Sequence, residues 1–247
     1  MSRHSELFDR VARESGFFGK PIYVKMHARS RTPILPIQGR TRSEIEKIVN
    51  RLSRGSGEAA CKTVVITSIE QGGGSSWICA HTGDLLAAST DGSVCLVDAN
   101  LNSPTLHDYM GVSNRCGLID LLKDPALNVK QVATRLAGRD FWLIPGGSTP
   151  EDSECLAQSD RMRDRIAEIR SAFEYVLIDA PPVGLYNDAL ALGQLADGVL
   201  LVVRASSTRR DSACRLTAEL LASGVKLIGA VLNDYASPIP EAIEKWL

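Results

Sequence analysis

Long apolar runs are missing from this chain. The longest, Val199 to Val203 and Leu227 to Leu232, fall far short of the roughly 20 residues that a membrane-spanning helix needs. Met1-Ser2-Arg3-His4 leads into no apolar signal segment, so the expectation is a cytoplasmic protein. Paired cysteines are missing as well. Cys61, Cys79, Cys95, Cys116, Cys155 and Cys214 form no C-x-x-C pair and no Cys/His cluster, a pattern that suggests neither a zinc site nor a disulfide framework. They read as small core residues. Strong charge of one sign is absent overall: the net charge is -1, which argues against broad nucleic-acid binding.

What is present is an ordinary globular composition, 44% apolar and 23% charged over 247 residues, enough for a core and too apolar for a disordered chain. Charge is uneven, however. Between Met1 and Arg54 twelve basic residues face five acidic ones, a bias that suits an anionic lipid surface or an acidic partner, or simply a solvated basic arm.

The first forty residues hold Gly16, Gly19, Pro21, Pro33, Pro36 and Gly39 and no sustained period, which predicts an extended arm over residues 1–40. Ser43-Glu44-Ile45-Glu46 fits a capping box. Ile45, Ile48, Val49 and Leu52 then repeat at helical spacing before Gly55-Ser56-Gly57, predicting an amphipathic helix over 41–55. The remainder, 56–247, changes to short apolar runs separated by longer helical segments, the signature of βαβ units. Strands are predicted at Thr63–Thr67, Val94–Asp98, Phe141–Ile144, Tyr175–Asp179, Gly198–Val203 and Leu227–Leu232. Helices are predicted near Ser76–Ala88, Gly117–Leu122, Glu154–Ala172, Asp188–Leu195 and Arg209–Ala222. The expected fold is α/β: a mostly parallel central sheet flanked by helices, in three layers.

In such a sheet ligands sit beyond the carboxyl ends of the strands, so the residues after each strand are informative. Ser68-Ile69-Glu70-Gln71-Gly72-Gly73-Gly74-Ser75-Ser76 is a glycine-rich strand-to-helix turn. Its backbone N–H groups and the helix behind it suit a phosphate, although glycine-rich turns also arise for packing reasons. Against G-x-x-x-x-G-K-[ST], Gly74 and Ser76 fit, while Ile69 holds the first glycine position and Ser75 the lysine position. Two further strands end in acid, at Asp98 and at Asp179, placed beside the glycine-rich loop to hold Mg²⁺ directly or through water.

These three segments, in this order, resemble the bacterial tyrosine kinases of capsule and exopolysaccharide synthesis, which group with the MinD and ParA ATPases among P-loop proteins. Ser68 to Ser76 is similar to the family's first nucleotide motif, Asp98 to Pro104 to the second, and Val176 to Pro182 to the third. The resemblance extends through Phe141 to Gly147, Gly198 to Arg204 and Gly229 to Asn233, covering roughly Thr63 to Asp234.

It implies ATP or ADP with Mg²⁺ as ligand. Gly72, Gly73, Gly74, Ser75, Ser76, Arg204 and Asn233 would lie at the nucleotide, Ser76, Asp98 and Asp179 at the metal. Asp98, Asp179 and position 100 would carry the catalytic acids. The chain departs from the pattern where chemistry is done: Ser75 replaces the lysine, Asn100 the second aspartate, Asn102-Ser103 a basic pair, and His81 stands where asparagine is common.

The expectation is therefore a pseudokinase that still binds nucleotide. The resemblance implies as its partner the cytoplasmic part of an inner-membrane polysaccharide chain-length regulator, which would recruit the protein to the membrane. A homo-oligomer is implied too, but Ile48, Arg51 and Arg54 keep the spacing of the family's ring-forming E-x-x-R-x-x-R without its glutamate. No tyrosine-rich tail is expected, the last tyrosine being Tyr235. Besides a P-loop-shaped interaction module with no ligand, which Ile69 and Ser75 would tolerate, two alternatives stay open. One is an active tyrosine autokinase that draws a cation from Arg204, Arg209 or Arg210. The other is a MinD- or ParA-like switch, which would carry a lysine where Glu70 and Gln71 stand.

Overall fold

The computed structural model describes residues 22–24, 37–54, 61–136, 138–148, 158–205 and 207–234. In chain order these form β1 (Ile22–Val24), α1 (Gly39–Arg54), β2 (Thr63–Ser68), α2 (Ser75–Ser89), β3 (Val94–Asp98), α3 (Leu106–Met110), α4 (Leu118–Lys123) and α5 (Val129–Val132). There follow β4 (Thr134–Leu136), β5 (Phe141–Ile144), α6 (Asp160–Ala172), β6 (Tyr175–Asp179), α7 (Asp188–Leu195), β7 (Gly198–Arg204), α8 (Arg210–Ala222) and β8 (Leu227–Asn233).

The strands make one sheet in the order β1-β8-β7-β2-β6-β3-β5-β4. Every pairing is parallel except that of β4 with β5. Parallel strands are covered on both faces and read as continuous apolar runs, and β2, β3 and β6 are buried at every position. Alternate residues of each strand enter opposite halves of the core. Val64 and Ile66 join Leu96, Leu177 and the apolar faces of α1 and α2, while Val65 joins Val97, Ile178 and residues of α4, α6, α7 and α8. The α/β three-layer expectation is met.

Differences from the sequence reading are local. Ser43 does not cap a helix: α1 already runs from Gly39, the Ser43 hydroxyl donates to the Gly39 carbonyl oxygen (3.4 Å), and Glu46 pairs with Arg42 (2.8 Å). An i,i+4 ion pair uses the Glu46 carboxylate that a capping box would have turned back on the Ser43 N–H. The core-facing residues are those the spacing predicts, with Ile45, Ile48, Val49 and Leu52 all buried. Ile48 is thus a core residue. Strands β1 and β4 and helices α3 and α5, three to five residues each, were too short to show a period. The predicted start of the α6 helix at Glu154, Cys155 and most of the basic arm lie outside the described residues.

Candidate functional site

The carboxyl ends of β2, β3, β6 and β7 lie side by side, because neighbouring parallel strands point the same way. Between β2 and α2 the chain makes a tight loop in which Gly72 (φ 76°) and Gly74 (φ 92°) take left-handed conformations that other residues adopt only at a cost. Gly73 is needed for a different reason: a Cβ there would sit 2.6 Å from the Ser68 Cβ.

The loop is braced from several sides. The Ser68 hydroxyl and the Gly73 N–H both donate to the Glu70 carbonyl oxygen (2.9 and 3.2 Å). Asn233, at the end of β8, donates its amide to the Gly73 carbonyl oxygen (2.8 Å). Glu70 is gripped in turn by the hydroxyls of Ser207 (2.6 Å) and Thr208. Helix α2 starts directly behind the loop, with Gly74 as its N-cap residue and no side chain capping it. Its first N–H groups and the positive end of its dipole therefore face the cleft, an arrangement suited to an anion.

Opposite this cradle stand two carboxylates. Asp98 and Asp179 end β3 and β6 and are direct partners in register, both fully buried. One Asp98 oxygen accepts from the Thr105 and Leu106 N–H groups (2.8 and 2.9 Å). The other Asp98 oxygen and both Asp179 oxygens make no hydrogen bond of full geometry, although the Asn100 N–H acts on Asp98 and the Ser75 and Ser76 hydroxyls act on Asp179. Burial pushes Asp98 up to about 7, against the pull of the Leu106 and Thr105 N–H groups. Burial and then the Asp98 charge raise Asp179 well above the usual carboxylate range, the Ser76 and Ser75 hydroxyls acting the other way. Buried carboxylates without partners are costly unless a cation joins them.

Above them opens a cleft of about 350 Å³ lined by Ser68, Gln71 to Trp77, Asn100, Asn102, Ser103, Thr105, Tyr109, Pro182, Leu185 and Tyr186. The structure thus gathers Gly72, Gly73, Gly74, Ser75, Ser76 and Asn100 at one site, with Asp98 and Asp179 beneath. Asn233 stands behind the loop as a brace. Arg204 is drawn elsewhere: its side chain donates to Asp234 (3.1 Å) and it does not line the cleft. Arg209 and Arg210 are exposed at the start of α8 and do not line it either. Among the described lining residues there is no lysine, arginine, aspartate or glutamate. His81, one turn after Trp77, is buried, and its burial lowers it to about 4, so it is neutral at physiological pH. It packs on the Trp77 ring, the centroids 4.1 Å apart.

Sequence reasoning missed Trp77, Tyr109, Leu185 and Tyr186 as lining residues, and Glu70, Ser207 and Thr208 as braces. The placement of Trp77 just after Ser76 was the one available signal.

No protein-family model matches the chain. Comparison with curated proteins finds the tyrosine-protein kinase YwqD of Bacillus subtilis, 30% identical over 172 residues, which are 70% of this chain and 72% of that one. The chain belongs to the bacterial tyrosine-protein kinases. Against the family member wzc of Salmonella typhimurium it is 28% identical over 178 residues, 72% of this chain but only 24% of wzc. The kinase domain of Escherichia coli ETK superposes with a TM-score of 0.77 at 20% identity, covering 94% of this chain and 96% of that domain. MinD of Pyrococcus horikoshii, solved with Mg-ADP, superposes with a TM-score of 0.60 at 20% identity, covering 74% and 76%. The fold of this family member is thus that of the tyrosine-kinase domains and of the MinD group.

Proposed function

We propose that this chain is a catalytically impaired tyrosine-kinase-like protein that binds ADP or ATP with Mg²⁺ and turns it over slowly or not at all. In this reading it acts as a regulatory partner of a membrane chain-length regulator in exopolysaccharide synthesis or export. The observation that carries the proposal is Ser75, buried at the first position of α2 in a cleft whose described lining has no cation.

The residues fit nucleotide and metal as ligands. The loop N–H groups face the phosphate position, and Ser76, Asp98 and Asp179 would hold Mg²⁺, compensating carboxylate oxygens that make no full hydrogen bond. A bound Mg²⁺ would neutralise phosphate charge. Transfer needs more: a lysine places a full positive charge on the β- and γ-phosphates, and the Ser75 hydroxyl offers a neutral hydrogen bond. If this loss compares with that of an arginine finger, worth roughly 10³–10⁵ in rate, the barrier rises by about 4–7 kcal/mol. Asn100 compounds it, since an amide does not accept a proton as a carboxylate does.

The active-kinase alternative needs a cation from this chain, and the Arg204 side chain is held by Asp234. The switch alternative needs a lysine at the start of the glycine loop, where Glu70 is engaged by Ser207 and Thr208. Among the described residues no helix is long and apolar enough to cross a membrane, and recruitment there falls to the partner in this proposal.

The test is calorimetric titration with Mg-ADP and Mg-ATP, with hydrolysis followed in parallel. Micromolar binding with negligible turnover is expected. Hydrolysis at rates typical of kinases, about 1–100 s⁻¹, would overturn the reading.

A further inference from the structure

Strand β1 comes from the arm and contributes no residue to the cleft. It lies at the edge of the sheet, beyond β8, and pairs with the last three residues of that strand alone: Ile22 with Val231, Tyr23 with Leu232 and Val24 with Asn233. Among the described residues no strand flanks Leu227 to Ala230 on that side. A strand that served only to blunt an exposed edge would run along it. This one covers the end that meets the phosphate loop.

The covered end carries the brace. Asn233 is buried and donates its side-chain amide to the Gly73 carbonyl oxygen (2.8 Å), at the loop position where a Cβ has no room. Directly after it, Asp234 takes a left-handed conformation (φ 56°), which a residue other than glycine keeps only where its surroundings hold it. The backbone at Asn233 therefore needs support on both flanks. On the inner flank its carbonyl oxygen accepts from the Ala205 N–H, just past β7 (2.8 Å). Neighbouring residues of a strand turn their peptide groups to opposite sides, so Leu232 turns its own to β1. Ile22 and Val24, either side of its register partner Tyr23, turn theirs to β8.

We infer that β1 is a positioning strand for the phosphate loop: by closing the outer flank of β8 at residues 231–233 it fixes Asn233, and through the Asn233 amide it fixes Gly73. Taken with the phosphate-site reading above, this makes nucleotide affinity depend on an arm that never enters the cleft. Whatever draws the arm off β8 loosens the loop from behind.

Amide hydrogen exchange of the full chain without nucleotide tests it, comparing the native protein with Ile22→Pro/Val24→Pro, which removes both β1 N–H groups that face β8. Exchange at residues 72–76 is expected to quicken at least tenfold, with β2, β3 and β6 protected as before. Loop exchange within threefold of native would overturn the inference, and so would equal quickening in those three strands, which would make β1 a general stabiliser. If the double variant does not fold, Val24→Pro alone decides by the same criterion. Calorimetry with Mg-ADP then checks the route. Affinity should fall at least tenfold in the proline variant, with no further loss when the same prolines are placed in Asn233→Ala, because both changes break one chain of contacts. Additive losses would overturn the route through Asn233. A native chain that binds no Mg-ADP would overturn the nucleotide proposal alone, and the exchange measurement would still decide the part played by β1.

Discussion

The floor and the walls of the cleft have had different fates. The floor keeps what backbone and burial supply: three glycines in a fixed shape, a helix start, and two buried carboxylates in register. The walls carry serine and asparagine at the positions, 75, 100, 102 and 103, where the family resemblance implies charge. The difference teaches that a phosphate site has two separable parts. Geometry for binding is held by residues whose replacement would disturb the fold, whereas charge for transfer sits on side chains that can be exchanged with almost no structural cost.

The largest effect expected from testing this contrast is on the floor. Asp98 is raised from 3.8 to about 7 on folding, so between those values the folded chain binds more protons than the unfolded one. The Asp98 contribution to stability without metal should then be constant below about pH 4 and fall as pH rises toward 7, by an amount of order 4 kcal/mol at roughly 1.4 kcal/mol per unit. Buried His81, lowered to about 4, contributes the opposite slope between about pH 4 and 6.5, and Asp179, raised further, extends the fall to higher pH. Chemical denaturation of the native chain and of Asp98→Asn across this range should therefore differ by a gap that narrows as pH rises; a gap independent of pH would mean that the Asp98 carboxylate is already compensated. Next in size is Gly73→Val, whose Cβ would meet Ser68. A loss of 100-fold or more in Mg-ADP affinity is expected by calorimetry, with a stability cost of about 1–3 kcal/mol.

The walls should respond in the opposite sense. Restoring charge in Ser75→Lys with Asn100→Asp is expected to raise ATP turnover at least tenfold over the native chain, about 1.4 kcal/mol in barrier, while the melting temperature stays within a few degrees. No gain would show that the floor as well as the walls has lost competence. The smallest effect belongs to the brace: Thr208→Val removes one hydroxyl from Glu70 and should cost about 0.5–1.5 kcal/mol, visible as a lower melting temperature.

The same contrast separates what sequence reading reached from what it did not. Val94–Asp98, Phe141–Ile144 and Tyr175–Asp179 were found to the residue, because strands buried on both faces are unbroken apolar runs and end where a polar residue appears. The glycine loop and the two aspartates were legible for the same local reason. The bonds from Thr208 to Glu70 and from Asn233 to Gly73 join positions more than 130 apart, and no local pattern encodes them. Tyr109 and Tyr186 reach the cleft from a five-residue helix and from the loop between β6 and α7, whose paths the fold alone determines. Arg204 was expected at the nucleotide because it follows a strand end; its pairing with Asp234, brought alongside by the turn after β8, was invisible in sequence.

The amide of Asn233 reaches back 160 positions to hold Gly73. During synthesis, the loop, its strand and its helix leave the ribosome long before β8 does. A nascent chain ending at β7 already has the glycines and both aspartates, yet it lacks the group that pins the loop. The finished shape of the loop is therefore among the last features this domain acquires, and a chain arrested before its final strand lacks the bond that closes it.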